Sequence, residues 1–166
     1  MRRIRSVLGA VALAATMLVA TGPAQADDGP RACDNWYFVD GGLGYRFSHC
    51  ASPYFVQDVV KAHARLHLYY RPSPTSGWLD PSSVDSITIN GWYLHVNNNS
   101  YARAPQSRGS GPPTADFYSA GIGLACNAQA ASANTDESVR LANGHAYYGP
   151  NDASENVVSP LSRRPC

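Results

Sequence analysis

Basic and titratable side chains alternate with apolar ones along residues 60–71 of this 166-residue chain. The basic side of the pattern consists of Lys61, His63, Arg65, His67 and Arg71. A row of cations on one face is suited to binding an acidic protein or an anionic glycan, and such binding would weaken as salt rises. The simpler interpretation is a solvated surface that binds nothing. The residues alone leave both interpretations open.

His63 and His67 have the H-x-x-x-H spacing that places two metal ligands on one face of a helix. On a strand the same four steps separate them by about 13 Å, which is too far for one ion to reach both. The sequence also lacks a C-x-x-C pair of the kind that holds zinc. We therefore predict no metal site and no other cofactor.

Motifs for nucleophilic or metal-assisted hydrolysis, such as G-x-S-x-G and H-E-x-x-H, are absent. Four aspartates could supply a carboxylate pair for glycoside hydrolysis. They are Asp58, Asp80, Asp85 and Asp116. Glu137 and Glu155 fall in predicted loops. Many chains with this many acids offer as much, so we predict no catalytic residues and keep a small hydrolase of glycans or peptides as an alternative.

Aromatic and arginine residues in two predicted loops are further candidates for partner binding. Trp78, in the loop of residues 72–83, could stack on a sugar or anchor a protein partner, or could pack in the core. Residues 97–115 show no periodicity and contain Tyr101, Arg103 and Arg108 among small residues. That composition is typical of an interface, although plain solvation of a loop would explain it equally well.

The elements that position these residues are predicted to be β-strands. Twelve residues of strict alternation from Val60 to Arg71 predict a half-buried central strand, which Pro72 and Pro74 end. Residues 40–44, of sequence DGGLG, predict a turn between two short aromatic strands.

Two Asn-Gly pairs predict the tips of further hairpins. With Asn90-Gly91 at a tip, Ile89 faces Trp92 and Ile87 faces Leu94, and all four side chains point inward. With Asn143-Gly144 at a tip, Leu141 faces Ala146 and Val139 faces Tyr148. Residues 127–137 are small and polar and predict a loop or a short helix. Six to eight short strands separated by turns indicate an all-β fold, an antiparallel sandwich or open barrel.

The N-terminus has the features of a secretory signal peptide over residues 1–26. A basic start, an apolar run from Val7 to Ala20 and the small-residue site Ala24-Gln25-Ala26 are its three parts. Cleavage would leave a single secreted domain, residues 27–166, that begins with an extended acidic arm at 27–32. Loss of Arg2, Arg3 and Arg5 would leave 10 basic residues of the original 13 against 12 acidic ones, near −2. That balance argues against nucleic acid as a partner, and after cleavage no membrane attachment is expected.

Four cysteines lie in the part that would be exported, and an even number there predicts two disulfides. Three pairings are possible. We favour Cys33–Cys50, which brackets the predicted hairpin at residues 40–44, and Cys126–Cys166, which would hold the C-terminus. Such bridges would make the domain a disulfide-stapled one.

The segment from Leu66 to Trp78 resembles the L-x-L-x-Y-S-P-x-C-R-x-x-W segment of YjfA-like secreted bacterial proteins. The matching residues are Leu66, Leu68, Tyr70, Pro72 and Trp78, while Pro74 and Thr75 replace the cysteine and arginine of that pattern. This resemblance implies a small exported β-domain without a known activity.

The overall profile is also similar to the small adaptor subunit of the umbrella-shaped antibacterial toxin particles of streptomycetes. The shared features are an Ala-rich signal peptide, a small stapled domain and a free acidic arm. This second resemblance implies a non-catalytic secreted adaptor in an extracellular complex. A hydrolase and a secreted inhibitor with a disulfide-clipped loop are the alternatives.

Overall fold

The computed structural model of the protein describes residues 27–149 and 157–164. The predicted signal peptide, Glu155 and Cys166, and with Cys166 the predicted Cys126–Cys166 bridge, lie outside the described residues. The strands in these two ranges are β1 (Asp27–Asp28), β2 (Ala32–Asp40), β3 (Leu43–Val56), β4 (Val59–Arg71), β5 (Val84–Val96), β6 (Asn99–Ala102), β7 (Gln106–Arg108), β8 (Thr114–Tyr118), β9 (Ile122–Gly123), β10 (Gln129–Leu141), β11 (Ala146–Tyr148), β12 (Val157–Val158) and β13 (Ser162–Arg163).

The strands form two antiparallel sheets that pack face to face. In sheet A, β3 pairs with β4, while β1 and β2 pair with β3 and β8 and β9 pair with β4. In sheet B, β5 pairs with β10, while β6 and β7 pair with β5 and β11, β12 and β13 pair with β10. The predicted all-β class is confirmed as an antiparallel sandwich. More than eight strands are present because, apart from β2, the edges of both sheets are built from pieces of two to five residues.

The central strand predicted from alternation is β4, and its apolar side forms the middle of the core. Ala62, Ala64, Leu66 and Leu68 are fully buried, and they pack with residues of sheet B such as Ile87. The alternation was informative because one face of β4 meets the opposite sheet while the other does not.

The turn predicted at residues 40–44 is confirmed as a two-residue turn between β2 and β3. Gly41 and Gly42 both have positive φ, at 54° and 79°, a conformation that disfavours residues with a Cβ. At the far end of the hairpin Cys33 lies opposite Cys50, and the predicted disulfide joins them.

The hairpin predicted at Asn143-Gly144 is also present, between β10 and β11, and Gly144 has a φ of 87°. Its register differs by one residue from the prediction, because Val139 pairs with Tyr147 and Arg140 pairs with Ala146. The shift is explained by the turn, in which the amide of Leu141 donates to the carbonyl of His145.

The hairpin predicted at Asn90-Gly91 is wrong, because β5 runs through both residues as one strand. The register with β10 shifts at this point: Trp92 pairs with Asn134, Gly91 with Asp136, and Ile89 with Glu137. Thr135 is therefore an extra residue in β10, and Asn90 is an extra residue in β5. Because of the extra residue in β5, Ile87 and Ile89 before it and Trp92 and Leu94 after it all point inward. A turn at Asn90-Gly91 would give the same pattern.

Gly91 is required by the bulge of β10 rather than by a turn. A Cβ built on it would lie 2.4 Å from the Thr135 hydroxyl and 3.2 Å from the Cβ of Asp136. We expect Gly91→Ala to destabilise the protein by about 1–3 kcal/mol in urea unfolding, since the side chains of Thr135 and Asp136 must shift. Gly109→Ala is the matched control, because nothing lies within 4 Å of its added Cβ. Equal effects of the two substitutions would contradict this account.

The loop or helix predicted for residues 127–137 is wrong, since most of that segment belongs to β10. Its polar side chains enter the interior instead of facing water. Glu137 and His49 of β3 are both buried and approach within 3.1 Å, Oε1 to Nδ1. Nearby, the side-chain amide of Asn134 donates to the carbonyl of Cys50 at 2.7 Å. These contacts link sheets A and B through polar groups.

The acidic arm, which was expected to be free, lies against sheet A. Asp28 pairs with Tyr54 in the β1–β3 ladder, and the amide of Gly29 donates to the carbonyl of Pro53 at 2.7 Å. The carboxylate of Asp28 is also 2.9 Å from Nδ1 of His63. The arm is extended, as predicted, but it is part of the sheet.

Candidate functional site

The outer face of sheet A carries the basic side of β4 in register with residues of β2, β3 and β8. Tyr37 of β2, Arg46 of β3 and Tyr69 of β4 form one row across the sheet. Two residues along, Asn35, Ser48, His67 and Thr114 form the next row. Because side chains of one row lie on the same face, the register brings arginine together with aromatic rings.

Trp78 folds back onto this face. The amide and carbonyl of Tyr70 bond to those of Leu79 at 2.8 Å, which returns the chain to the end of β4. The intervening turn is held by bonds between Ser73 and Ser76, including the Ser73 amide to the Ser76 hydroxyl at 2.9 Å. Trp78, whose role the sequence left open, is half-buried on the outer face of sheet A rather than in the core between the sheets.

Two guanidinium groups lie over the Trp78 ring. The central carbon of Arg71 is 4.8 Å and that of Arg46 is 5.1 Å from the ring centre. Arg46 also lies 4.2 Å from the ring centre of Tyr69, and the ring of Tyr37 is 6.0 Å from that of Trp78. Cation–π contacts of this kind hold arginine in place without neutralising its charge. We call Tyr37, Arg46, Tyr69, Arg71 and Trp78 the Trp78 cluster.

In the described part of the chain, the two arginines of the Trp78 cluster have no carboxylate beside them, whereas most of the remaining basic row lies beside aspartates. Within residues 27–149 and 157–164, neither Arg46 nor Arg71 forms an ion pair. By contrast, His67 lies 3.0 Å from Asp80 and Arg65 lies 4.0 Å from Asp116. Lys61 is half-buried at the other end of the row, opposite Tyr54. The strongest candidate for binding an anion is therefore the end of the face that holds Trp78.

His63 does not belong to the exposed row. Its side chain is almost wholly buried, with 2% of the residue exposed, between the carboxylates of Asp28 at 2.9 Å and Asp116 at 3.0 Å. The Tyr118 ring stacks on the imidazole with 4.4 Å between centres. A partner could not contact His63 directly, so its prediction as a docking residue is corrected. The alternation placed it on the outer face but gave no sign that the arm and β8 would cover it.

The second predicted group, Tyr101, Arg103 and Arg108, lies on sheet B and does not join the Trp78 cluster. Segment 97–115, which was predicted to be a loop, contains β6 and β7, both paired with β5. Tyr101 is exposed, and the guanidinium of Arg103 lies 5.7 Å from its ring centre. Arg108 donates to the carbonyls of Pro112 and Thr114 and so holds its own loop. Burial lowers the pKa of both arginines.

A cluster that was not predicted from the sequence surrounds Asp40, at the end of β2. Asp40 accepts hydrogen bonds from the Tyr147 hydroxyl, the His145 Nδ1 and the Asn143 side-chain amide, each at 2.6 Å. These bonds, that of Tyr147 foremost, lower the pKa of Asp40 to about 2, so it is a carboxylate that can only accept. His145 must then carry a proton on Nδ1.

A cleft of about 200 Å³ lies beside this cluster. It is lined by Tyr45, Pro81, Ser82, Ser83, Leu141, Ala142 and Asn143. Of the Asp40 cluster only Asn143 lines the cleft, and His145 lies two residues further along the chain. A histidine oriented by a carboxylate is an arrangement that general-base catalysts use. Each of the two hairpin tips was predicted, but the sequence did not show that they meet.

We expect the Asp40 cluster to make stability depend on pH at both extremes. The pKa of Asp40 falls from 3.8 to about 2 on folding, so its contribution is complete above pH 4 and is lost as pH falls toward 2. The bond to Asp40 raises the pKa of Tyr147 from 10.0 to about 12, so that contribution is complete below pH 10 and is lost as pH rises toward 12.

Thermal unfolding of the native protein and of Asp40→Asn across pH 2–7 tests the acidic half of this prediction. The difference between the two melting temperatures should be constant from pH 5 to 7 and should shrink below pH 4. Tyr147→Phe should show the corresponding loss above pH 10. A difference that stays constant down to pH 2 would exclude the carboxylate as its source.

Two searches of the described residues and three comparisons with known proteins add no further site. Residues 27–149 and 157–164 hold no group of three or more histidine, cysteine, aspartate or glutamate side chains placed to bind a metal ion. In the same ranges there is no helix with the length and hydropathy to cross a membrane. No protein family, no curated protein and no solved structure matches the chain significantly.

Proposed function

We propose that the protein is a secreted, non-catalytic interaction module, an adaptor or subunit of an extracellular complex, and that the Trp78 cluster is its docking surface. The observation that carries the proposal is the pair of arginines, Arg46 and Arg71, held on Trp78 without an ion-pair partner among the described residues. Tryptophan, tyrosine and arginine are the residues that most often dominate the energy of protein interfaces.

The geometry favours an acidic protein surface as the ligand. Planar guanidinium groups bind carboxylates through paired hydrogen bonds, and stacking on Trp78 orders these two before binding, which lowers the entropic cost. An anionic glycan is less well suited, because the guanidinium groups lie over the ring on which a sugar would stack. The likeness to the umbrella-particle adaptor suggests an antibacterial toxin particle as the complex.

Capture from culture medium tests the proposal. The full-length chain would be expressed with a C-terminal tag in the organism that exports it, and the co-purifying proteins would be identified and their affinities measured. We expect Trp78→Ala to weaken binding about 30-fold, as at an interface hot spot, and 0.5 M NaCl to weaken it further.

Tyr93→Ala, which removes an exposed aromatic ring from sheet B, is the matched control and should leave affinity within twofold. Recovery of monomer alone would contradict the proposal. So would a partner that binds Trp78→Ala as well as it binds the native protein, and so would capture of an acidic polysaccharide in place of a protein.

A small hydrolase is the second candidate, and the contact between Asp40 and His145 beside the 200 Å³ cleft is the observation that favours it. In that reading His145 is the general base and Asp40 orients it. Release of chromophore from peptide and glycoside substrates by the native protein, abolished in His145→Ala but not in His95→Ala, would establish it. No release above that of His145→Ala would exclude it.

A further inference from the structure

We infer that β2 is an acceptor edge, to which the partner adds an extended acidic segment as a new strand of sheet A. The inference rests on the proposed function and specifies how the partner binds. Among the described residues β2 pairs with β3 alone, so no strand is hydrogen-bonded to its other side. Addition of a strand to such an edge is a recurrent mode of peptide recognition.

The register shows which backbone groups are available. Cys33 and Cys50 are directly opposite with 4.0 Å between their Cα atoms, the close spacing of a pair that does not exchange backbone hydrogen bonds. The alternate residues of β2 share that orientation, so their amides and carbonyls point away from β3. They are Cys33, Asn35, Tyr37 and Val39. In agreement, the outward amide of Asn35 is bonded by the carboxylate of Asp34 at 2.7 Å.

Of the features that usually prevent strand addition, the edge carries only charge, on Asp34 and Asp40 toward its two ends. Exposed edge strands are commonly protected by lysine, proline, a bulge or very short length. β2 is nine residues long, contains neither lysine nor proline, and pairs with β3 without a register shift. Tyr37 is 64% exposed and Val39 is 70% exposed, so the edge also offers apolar side chains.

The edge is rigid before binding. The disulfide fixes one end of the hairpin, and the two-residue glycine turn fixes the other. An added strand would therefore order only the partner's segment, which reduces the entropic cost of the complex.

Charge complementarity selects the occupant. An added strand would lie about 4.8 Å beyond β2, and its outer-face side chains would flank Tyr37 beside the two arginines of the Trp78 cluster. Carboxylates on that face would complement Arg46 and Arg71, whereas β2 of a second copy would bring to it Cys33, Asn35, Tyr37 and Val39, and no carboxylate. The occupant is thus a segment of another protein that alternates acidic with apolar residues.

Selection from a displayed library of random twelve-residue peptides tests the inference on the mature chain. Enriched peptides should be acidic and alternating, and when bound they should slow hydrogen exchange at the amides of Asn35, Tyr37 and Val39. Tyr37→Pro removes one outward amide and leaves the ladder to β3 intact, so it should weaken binding at least tenfold relative to Tyr37→Ala, which removes the same ring of the Trp78 cluster and keeps the amide.

Tyr148→Pro is the matched control. Tyr148 is 71% exposed on an edge strand of sheet B, and its amide also points outward, since the adjacent Gly149 amide makes the bond to Glu137. This control should change affinity less than twofold. Failure to enrich any peptide would overturn the inference, and so would peptides that bind Tyr37→Pro normally. A dimer of the native chain in sedimentation that Tyr37→Pro abolishes would show that a second copy is the occupant.

Trp78→Ala separates this inference from the function on which it rests. Peptides that lose affinity for Trp78→Ala, and lose more for Tyr37→Pro than for Tyr37→Ala, support strand addition beside the cluster, whereas equal losses for the two Tyr37 variants overturn it. Peptides that lose affinity for Trp78→Ala alone leave the docking surface in place and overturn strand addition. Peptides that bind both variants normally contradict both.

Discussion

Replacing Glu137 with alanine is expected to lower the free energy of unfolding by about 3–5 kcal/mol, a large part of the stability of a domain this size. Glu137 is fully buried between the sheets, with its carboxylate 3.1 Å from Nδ1 of His49. The substitution leaves the buried imidazole without this partner and opens a cavity that the rigid strands cannot close. Urea unfolding at neutral pH measures the loss.

Two further variants distinguish the effect of losing the buried polar contact from the effect of changing any side chain on this strand. Arg140→Ala removes an exposed side chain from the same strand and should cost less than about 0.5 kcal/mol. A double variant, His49→Leu with Glu137→Leu, replaces both polar partners with apolar groups and should be far more stable than Glu137→Ala. If the double variant were no more stable than the single one, packing at this position, and not the unpartnered histidine, would be the cause.

Trp92→Ala is expected to cost about 3–5 kcal/mol for a different reason. Trp92 is 1% exposed, and it is the largest side chain among the fully buried residues described. Its indole nitrogen donates to the carbonyl of Ala104 at 2.7 Å, and its own carbonyl accepts from the amide of Arg103 at 3.0 Å. The truncation therefore removes core volume and also releases the segment that follows β6.

The neighbouring residue supplies the control for Trp92. Tyr93→Ala acts on the outer face of the same strand, where the tyrosine is 37% exposed, and should cost less than about 1 kcal/mol. Similar losses for the two variants in urea unfolding would contradict the placement of Trp92 in the core.

The sequence predicted those strands of which one face meets the core and the other meets solvent. β4 is such a strand, and its alternation gave both its limits and its buried side. β10 could not be recognised, because the interior it enters is polar and accepts Asn134, Glu137 and several alanines and serines. Period-2 hydrophobicity disappears when buried positions are filled by small and polar residues.

The Asn90-Gly91 prediction failed although Trp92 was correctly placed inward. A two-residue turn and a bulge at Asn90 both place two residues, instead of one, between Ile89 and Trp92. Both therefore leave the side chains of Ile89 and Trp92 pointing inward. The sequence of β5 alone cannot separate them, because the deciding residue, Thr135, is on the neighbouring strand.

The candidate site was predicted in part. Arg71 and Trp78 were named from residue type, and the structure brings them together on one face with Arg46, which was not named. Arg46 was missed because its place beside Tyr69 depends on the register between β3 and β4, a long-range property. The burial of His63 and the contact between Asp40 and His145 also depend on long-range contacts, so they could not be predicted from the sequence either.

The extra residues in β5 and β10 have a consequence for how this chain can diverge. Deleting Asn90 alone would leave one residue between Ile89 and Trp92, so regular alternation would keep both inward, and Thr135 would remain as a single bulge in β10. Loss of both would restore a regular ladder. Homologues are therefore expected to differ in length by one residue at either position, 45 positions apart in the sequence, without reversing the buried face of β5 or β10.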